Sequence, residues 1–136
     1  MNINEISGAI IDCSMKIHKS LGPGLLESVN QGILMSELRK TGLTVEKEVP
    51  SPVNWDGHII DESFRADLII NGQVLVELKS IERLEPAHSK QVLTYLKITK
   101  LPLGLLINFD APYLKEGITR LVNNLPEDKN PPSLNP

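Results

Sequence analysis

The sequence predicts an α/β fold in which a central mixed β-sheet is flanked by helices. Apolar residues recur three or four positions apart in segments 4–20 and 25–41, which is the spacing of amphipathic helices. Apolar and polar side chains then alternate in short segments between positions 43 and 79, as in half-buried strands. A further helical segment precedes the continuous apolar run 103–109, which is typical of a strand covered on both faces. The predicted order is therefore α-α-β-β-β-β-α-β.

The first two predicted helices are separated by a clear break. The helix at 4–20 places apolar side chains on one face at Ile6, Ile10, Cys13 and Ile17. The segment "LGPG" (21–24) ends it, because proline and glycine disfavour a continuous helix. The second helix covers 25–41, and Gly42 is a suitable C-cap.

Two early segments predict strands near a sheet edge. "LTVEKEVP" (43–50) alternates, and Pro50 and Pro52 restrict its end to an edge because proline cannot donate a ladder hydrogen bond. "NWDGHI" contains an Asp-Gly turn, which predicts a hairpin.

The second half of the chain predicts the rest of the sheet. Strands at 62–70 and 73–79 lie on either side of Asn71-Gly72. The remaining predicted elements are a helix at 86–99, the strand at 103–109 and a last helix at 114–123.

Length and composition fit one domain. The chain has 136 residues with 40% hydrophobic and 23% charged residues, which is ordinary for a globular protein. We assign residues 1–124 to this domain and the polar, proline-rich residues 125–136 to a flexible C-terminal tail. A single cysteine, Cys13, excludes a disulfide within the chain and a four-cysteine metal site built by one chain. Its helical spacing predicts a core position.

Charge and hydropathy limit the classes of partner that the protein can bind. No stretch approaches the ~20 apolar residues of a membrane span, and the N-terminal "MNINEISG" lacks the pattern of a secretory signal. We therefore expect a cytoplasmic protein with no membrane partner. The net charge of −3 lacks the basic footprint of a non-specific DNA binder, so a nucleic-acid contact needs a local basic patch. Segment 79–100 has such a bias, although a solvated helix face is the alternative.

The turn at Asn71-Gly72 decides which side chains share a face. A two-residue turn would mix the apolar row of one strand with the polar row of the other. A three-residue loop, 70–72, with a left-handed Gly72 avoids this. Its predicted cross-strand pairs are Leu68 with Val74, Ala66 with Val76, and Phe64 with Leu78.

The three-residue loop brings charged side chains together on the opposite face. Asp67, Glu77 and Lys79 would converge on one side of two neighbouring strands, together with Arg65. Two carboxylates could hold Mg²⁺, which prefers oxygen ligands, and the lysine could orient or deprotonate a water. The alternative is a structural cluster of salt bridges on a solvated face, and spacing alone leaves both open.

The segments "RADLII" and "VLVELK" resemble the pattern of the PD-(D/E)XK nuclease superfamily, in which an aspartate on one strand precedes E-x-K on the next. The resemblance covers roughly residues 4–123. It extends to the small GxxExxY-motif proteins of that superfamily through "HKSLGPGLLES", "LRKTGL", "FRADLII", "VELKSIE", "QVLTYLK" and "LGLLINF". It implies a restriction-endonuclease-like α-β-β-β-α-β core and a magnesium-dependent phosphodiesterase site, with Mn²⁺ as a plausible substitute.

The resemblance also implies a role for each matching residue. Asp67 and Glu77 would be metal ligands and Lys79 the catalytic lysine. Glu27 would match the acidic helix residue that supports metal binding. Gln91 and Tyr95 match a QxxxY motif, and their i, i+4 spacing places them on one helical face, with His88 beside them.

The chain departs from the family motif at one position. Asn30 stands where the motif has tyrosine, so activity is impaired if that tyrosine contacts substrate and little changes if it only packs. The expected function is hydrolysis of DNA or RNA. The alternative is a non-catalytic nucleic-acid-binding or assembly module that retains the fold. A homodimer would supply a larger surface in either case.

Overall fold

The computed structural model of the chain describes residues 1–61 and 64–124. The first two residues of the predicted strand 62–70, and the predicted tail 125–136, lie outside the described residues. The helices are α1 (Ile3–Leu21), α2 (Glu27–Lys40) and α3 (Pro86–Thr99), with a 3₁₀ turn at Leu114–Gly117. The strands are β1 (Val45–Pro50), β2 (Val53–Trp55), β3 (His58–Ile60), β4 (Arg65–Ile70), β5 (Val74–Lys79), β6 (Leu103–Asn108) and β7 (Ile118–Val122).

The predicted mixed sheet flanked by helices is confirmed. Five strands lie in the order β1-β4-β5-β6-β7, and β5 pairs with β6 in parallel while the other neighbours are antiparallel. A parallel pair needs a crossover connection, which α3 supplies between β5 and β6. As Pro50 and Pro52 predicted, β1 lies at the sheet edge.

Local sequence explains where the helices begin and end. At the start of α1, the Asn2 side chain accepts from the Glu5 amide and the Glu5 carboxylate accepts from the Asn2 amide, both at 2.9 Å. α1 ends at Leu21 and is capped by Gly22, whose φ of 71° favours glycine. α3 begins with Pro86, a residue suited to the first helical turn. None of the helices within the described ranges is long and apolar enough to cross a membrane.

Two apolar layers hold the sheet between its helices. The layer under α1 and α2 contains buried side chains such as Ile6, Ile10, Leu34, Leu38, Leu68, Val76, Leu78, Leu105 and Phe109. The layer under α3 contains Ala66, Ile69, Leu75, Val92, Leu96 and Leu106. Cys13 is buried in the first layer, as predicted. Because both faces of the sheet are covered, β5 and β6 are almost wholly buried.

The β2–β3 hairpin predicted from the Asp-Gly turn is confirmed. Trp55 pairs with His58 across the turn. Asp56 and Gly57 both have positive φ, at 51° and 85°, which is the backbone of a type I′ turn.

The predicted last helix at 114–123 is wrong. A 3₁₀ turn covers only Leu114–Gly117, and β7 follows as an antiparallel partner of β6. The β-branched residues Ile118, Thr119 and Val122 favour a strand, and pairing Ile118 with Ile107 buries both side chains. Tertiary pairing therefore decides a segment whose apolar spacing also suits a helix.

Gly117 is expected to be intolerant of a methyl group. A Cβ there would lie 2.6 Å from the backbone oxygen of Asn108 and 2.9 Å from the Cβ of Ala111. Gly117→Ala should therefore lower the free energy of unfolding by about 1–3 kcal/mol, measured by urea denaturation. Gly8→Ala is the control, because a Cβ at that helical position meets nothing within 4 Å. This substitution should raise the free energy of unfolding by about 0.5–1 kcal/mol, since alanine favours a helix more than glycine does. Equal effects of the two substitutions would contradict the packing described here.

Candidate active site

The turn between β4 and β5 has the predicted odd length but a different position. The three loop residues are 71–73, and Asn71 and Gly72 both have positive φ, at 51° and 62°. Asn71 is held in this conformation by Thr44, whose backbone amide donates to the Asn71 side chain at 2.8 Å and whose carbonyl accepts from the Asn71 amide at 2.9 Å. Because the loop is displaced by one residue, the predicted pairs are wrong. Leu68 opposes Val76 instead of Val74, a shift of two that preserves the face of each side chain.

Backbone pairing between β4 and β5 stops beyond Leu68 and Val76, and carboxylates take its place. The backbone amide of Asp67 donates to Oε1 of Glu77 at 3.1 Å. In return, the backbone amide of Leu78 donates to Oδ2 of Asp67 at 2.8 Å. Each carboxylate thus satisfies an amide that the ladder leaves without a partner. The structure therefore brings Asp67 and Glu77 together, as the sequence predicted.

The predicted single apolar face of β4 is only partly correct. Leu68 lies in the layer under α1 and α2, but Phe64 and Ala66 pack in the layer under α3. The neighbouring strand β1 changes layers as well, because Val45 packs in the layer under α1 and α2 and Val49 in the layer under α3. Glu48, between these two residues, has a left-handed backbone (φ 51°) that interrupts the alternation of β1.

Burial shapes the electrostatics of the carboxylate pair. Glu77 is only 7% exposed, and burial together with the charge of Asp67 raises the pKa of Glu77 to about 8. Burial also raises the pKa of Asp67, although the hydrogen bond from the Leu78 amide opposes this. Two neighbouring carboxylates repel each other, so a cation bound between them would favour the ionised form of both.

Lys79 lies beside this pair at the end of β5. Its charge lowers the pKa of Asp67 and of Glu77 without offsetting the effect of burial. The chain is anchored at this point, because the Phe109 amide donates to the Lys79 carbonyl at 2.9 Å. Ile81, two residues after Lys79, is held by the buried side chain of Asn108. The Ile81 amide donates to Oδ1 of Asn108 at 3.1 Å, and Nδ2 of Asn108 donates to the Ile81 carbonyl at 2.9 Å. The lysine therefore projects from a segment fixed at both ends.

Helix α2 supplies the rim of the site. Glu27, at its first residue, is exposed and lines a small cavity with Ser28, Gln31, Glu48, Asp67 and Leu78. Partial burial and the charge of Asp67 raise the pKa of Glu27. One turn later, Gln31 donates its amide to the Asp67 carbonyl at 3.0 Å and to the Glu48 carboxylate at 3.1 Å. Gln31 thus ties the start of α2 to β1 and β4.

Sequence reasoning missed Glu48 and Gln31. The alternation in segment 43–50 does not indicate that Glu48, whose backbone is left-handed, lines the cavity. The sequence does contain a signal that places Gln31 in the site. Gln31 lies four residues after Glu27 and therefore shares its helical face.

Helix α3 directs Gln91 and Tyr95 towards the carboxylates. Partial burial and the charges of Glu77 and Asp67 raise the pKa of Tyr95, while a hydrogen bond with Gln91 opposes this. The Tyr95 ring stacks on Phe64, with centroids 3.6 Å apart and planes inclined by 6°. His88 serves the start of the helix, since its Nδ1 accepts from the Glu85 amide at 2.8 Å.

Asn30 is a packing residue in this fold. It is 1% exposed, and its amide nitrogen donates to the Ser80 hydroxyl at 3.5 Å. Such a buried side chain offers no surface to a substrate.

The residues present fit a divalent metal ion with many water ligands. In residues 1–61 and 64–124, no group of three or more His, Cys, Asp or Glu side chains is close enough to hold an ion. Mg²⁺, however, commonly takes one or two carboxylates and keeps several waters. Asp67 and Glu77 supply such a pair, with Glu27 at the rim, and a cation would offset the repulsion between them.

Comparison with known proteins gives one match. The model of a family described as PD-(D/E)XK nuclease superfamily matches residues 4–121. No curated protein and no solved structure matches the chain significantly. The match covers the helices, the sheet and the carboxylate pair described above. The chain therefore belongs to the PD-(D/E)XK nuclease superfamily.

Proposed function

We propose that this protein is a Mg²⁺-dependent phosphodiesterase that hydrolyses DNA or RNA. The observation that carries the proposal is the reciprocal pair of Asp67 and Glu77, each bonded to the other strand's backbone, with Lys79 beside it. Members of the superfamily generally depend on a divalent metal. Mg²⁺ is expected, with Mn²⁺ as a substitute, because the available donors are carboxylate oxygens.

Each side chain has a defined part in this proposal. Asp67 and Glu77 hold the ion, and Glu27 supports it from the rim. The bound metal supplies Lewis-acid stabilisation of charge on the phosphate. Lys79 orients the attacking water or takes its proton through Nζ. Gln91 and Tyr95 place an amide and a hydroxyl on the α3 side, where they position the phosphate.

We also assign the chain to the GxxExxY-motif proteins within the superfamily, with Gly24 and Glu27 as the matching motif residues. Asn30 is the departure from the motif. Its burial against Ser80 supports a packing role for this position and therefore retained activity.

Metal binding and cleavage test the proposal together. Calorimetry should detect Mg²⁺ or Mn²⁺ binding to the wild-type protein, and single- and double-stranded DNA and RNA should be assayed for metal-dependent cleavage. Glu77→Ala should abolish both, because it removes the more deeply buried of the two carboxylates. Glu46→Ala is the matched control, since Glu46 lies on β1 outside the cavity lining.

The same experiment separates the two functional classes. A wild-type protein that binds no metal and cleaves no substrate would refute the phosphodiesterase proposal. That result would favour a non-catalytic binding or assembly module, for which the change at Asn30 is the motivating observation.

A further inference from the structure

A basic groove runs between α2 and β1 on the outside of the molecule. It is lined by Gly32, Met35, Ser36, Arg39, Lys40 and Lys47. Gly32 and Ser36 lie four residues apart on one helical face, and a Cβ at Gly32 would meet nothing within 4 Å. These small side chains leave the groove open, and Met35 forms part of its wall.

The groove and the candidate active site lie along the same helix and the same strand. Gln31 and Glu48 line the site, while their chain neighbours Gly32 and Lys47 line the groove. Glu27 and Arg39 are separated by twelve positions on the same helix, which corresponds to about 18 Å. At about 3.4 Å per nucleotide, this distance matches roughly five nucleotides of one strand.

Three cations line the groove. Arg39 is held in place because its Nη2 donates to the Val45 carbonyl at 3.0 Å. Lys40 lies 3.4 Å from Glu37, but that carboxylate also binds Lys16 at 2.8 Å, so it is shared between two lysines. With Lys47, the groove presents net positive charge in a protein whose overall charge is −3.

The charge distribution matches the needs of a polyanionic substrate. The site itself is acidic, and its carboxylates repel every phosphate that is not neutralised by the bound ion. These carboxylates belong to Glu27, Glu48, Asp67 and Glu77. A strand entering this site must therefore be anchored at phosphates on either side of the reacting one. We infer that the α2–β1 groove binds the sugar–phosphate backbone of the nucleic-acid substrate and leads it to the carboxylates. This inference rests on the proposed function.

The basic residues of segment 79–100 are less suitable than the groove for binding the nucleic-acid backbone. Lys97 and Lys100 line a separate cavity with Pro102, Asn123 and Asn124. That cavity adjoins the C-terminal end of α3, where helix carbonyls disfavour a phosphate. These lysines therefore provide a matched control.

Salt-dependent binding tests the inference without catalysis. Anisotropy of labelled DNA and RNA of about 20 nucleotides would be measured in EDTA at several salt concentrations. The combined variant Arg39→Gln, Lys40→Gln, Lys47→Gln should weaken binding about tenfold or more and reduce the salt slope by about 2–3. The control variant Lys90→Gln, Lys97→Gln, Lys100→Gln removes the same charge from three exposed positions on α3 and its C-cap. It should change affinity less than about twofold.

The outcomes distinguish this inference from the proposed function. Equal loss in the two triple variants, or no binding by the wild type, would overturn the groove as a nucleic-acid site. Metal-dependent cleavage can still succeed in that case. Conversely, a selective loss in the groove variant with no cleavage by the wild type supports the groove and refutes the phosphodiesterase. If the triple variant does not fold, Lys40→Gln with Lys47→Gln preserves the Arg39–Val45 bond and should still weaken binding selectively.

Discussion

Lys79→Met is expected to lower metal-dependent cleavage about a thousandfold while leaving metal affinity nearly unchanged. The reason is that, in the proposed mechanism, Lys79 supplies a proton-handling or charge-stabilising group, whereas the proposed ligands are the carboxylates of Asp67 and Glu77. The methionine side chain keeps a similar length and loses the charge. Cleavage rates and calorimetric titration with Mg²⁺ would measure the two effects separately.

Lys100→Met is the matched control for this prediction, because Lys100 lies beyond the end of α3. It should cleave at the wild-type rate. A Lys79→Met protein that cleaves within a few fold of wild type would remove the catalytic assignment of this lysine.

The second large effect concerns stability. Glu77→Gln is expected to stabilise the metal-free protein at alkaline pH, because it removes a carboxylate that is buried beside Asp67. The folded-state pKa of about 8 lies above the ordinary value of 4.5. Between these values the folded state binds more protons than the unfolded state, so wild-type stability falls as pH rises and levels off above about pH 8. The variant should therefore gain on the order of 2–4 kcal/mol over wild type near pH 8.

Urea unfolding in EDTA at about pH 5 and about pH 8 would measure this difference. The gain should be small near pH 5, where Glu77 is protonated in the folded wild type. Saturating Mg²⁺ should reverse the order near pH 8, because an ion that binds only the folded state stabilises it. The exposed Glu46→Gln should show no such pH dependence, and a Glu77→Gln protein less stable than wild type at both pH values would contradict the described environment.

Much of the fold follows from local sequence signals. Residues with strong backbone preferences determine three of its features. These are the break at 21–24, the Asp-Gly hairpin and the helix at 86–99. The odd length of the β4–β5 loop followed from burial, because the alternative would place apolar side chains in water. The position of the loop did not follow from burial, since Asn71 as well as Gly72 can adopt a left-handed backbone.

The carboxylate pair was predictable because side chains alternate along a strand, but the rest of the cavity was not. Glu48 lines the cavity with a left-handed backbone in an otherwise ordinary strand, and residue propensities do not indicate this conformation. The end of the chain shows a similar limit. Ile118, Leu121 and Val122 fit both a helix and a strand by spacing, and only their pairing with β6 decides between them.

The hydrogen bonds of Asn108 have a consequence for motion. They join the chain after β5 to the end of β6, so the two strand ends cannot separate without exposing buried amide groups. Local opening there requires partial disruption of the core, and the amide protons of Ile81 and Phe109 should exchange with solvent slowly. The strand end that carries Lys79 is therefore a rigid part of the candidate site.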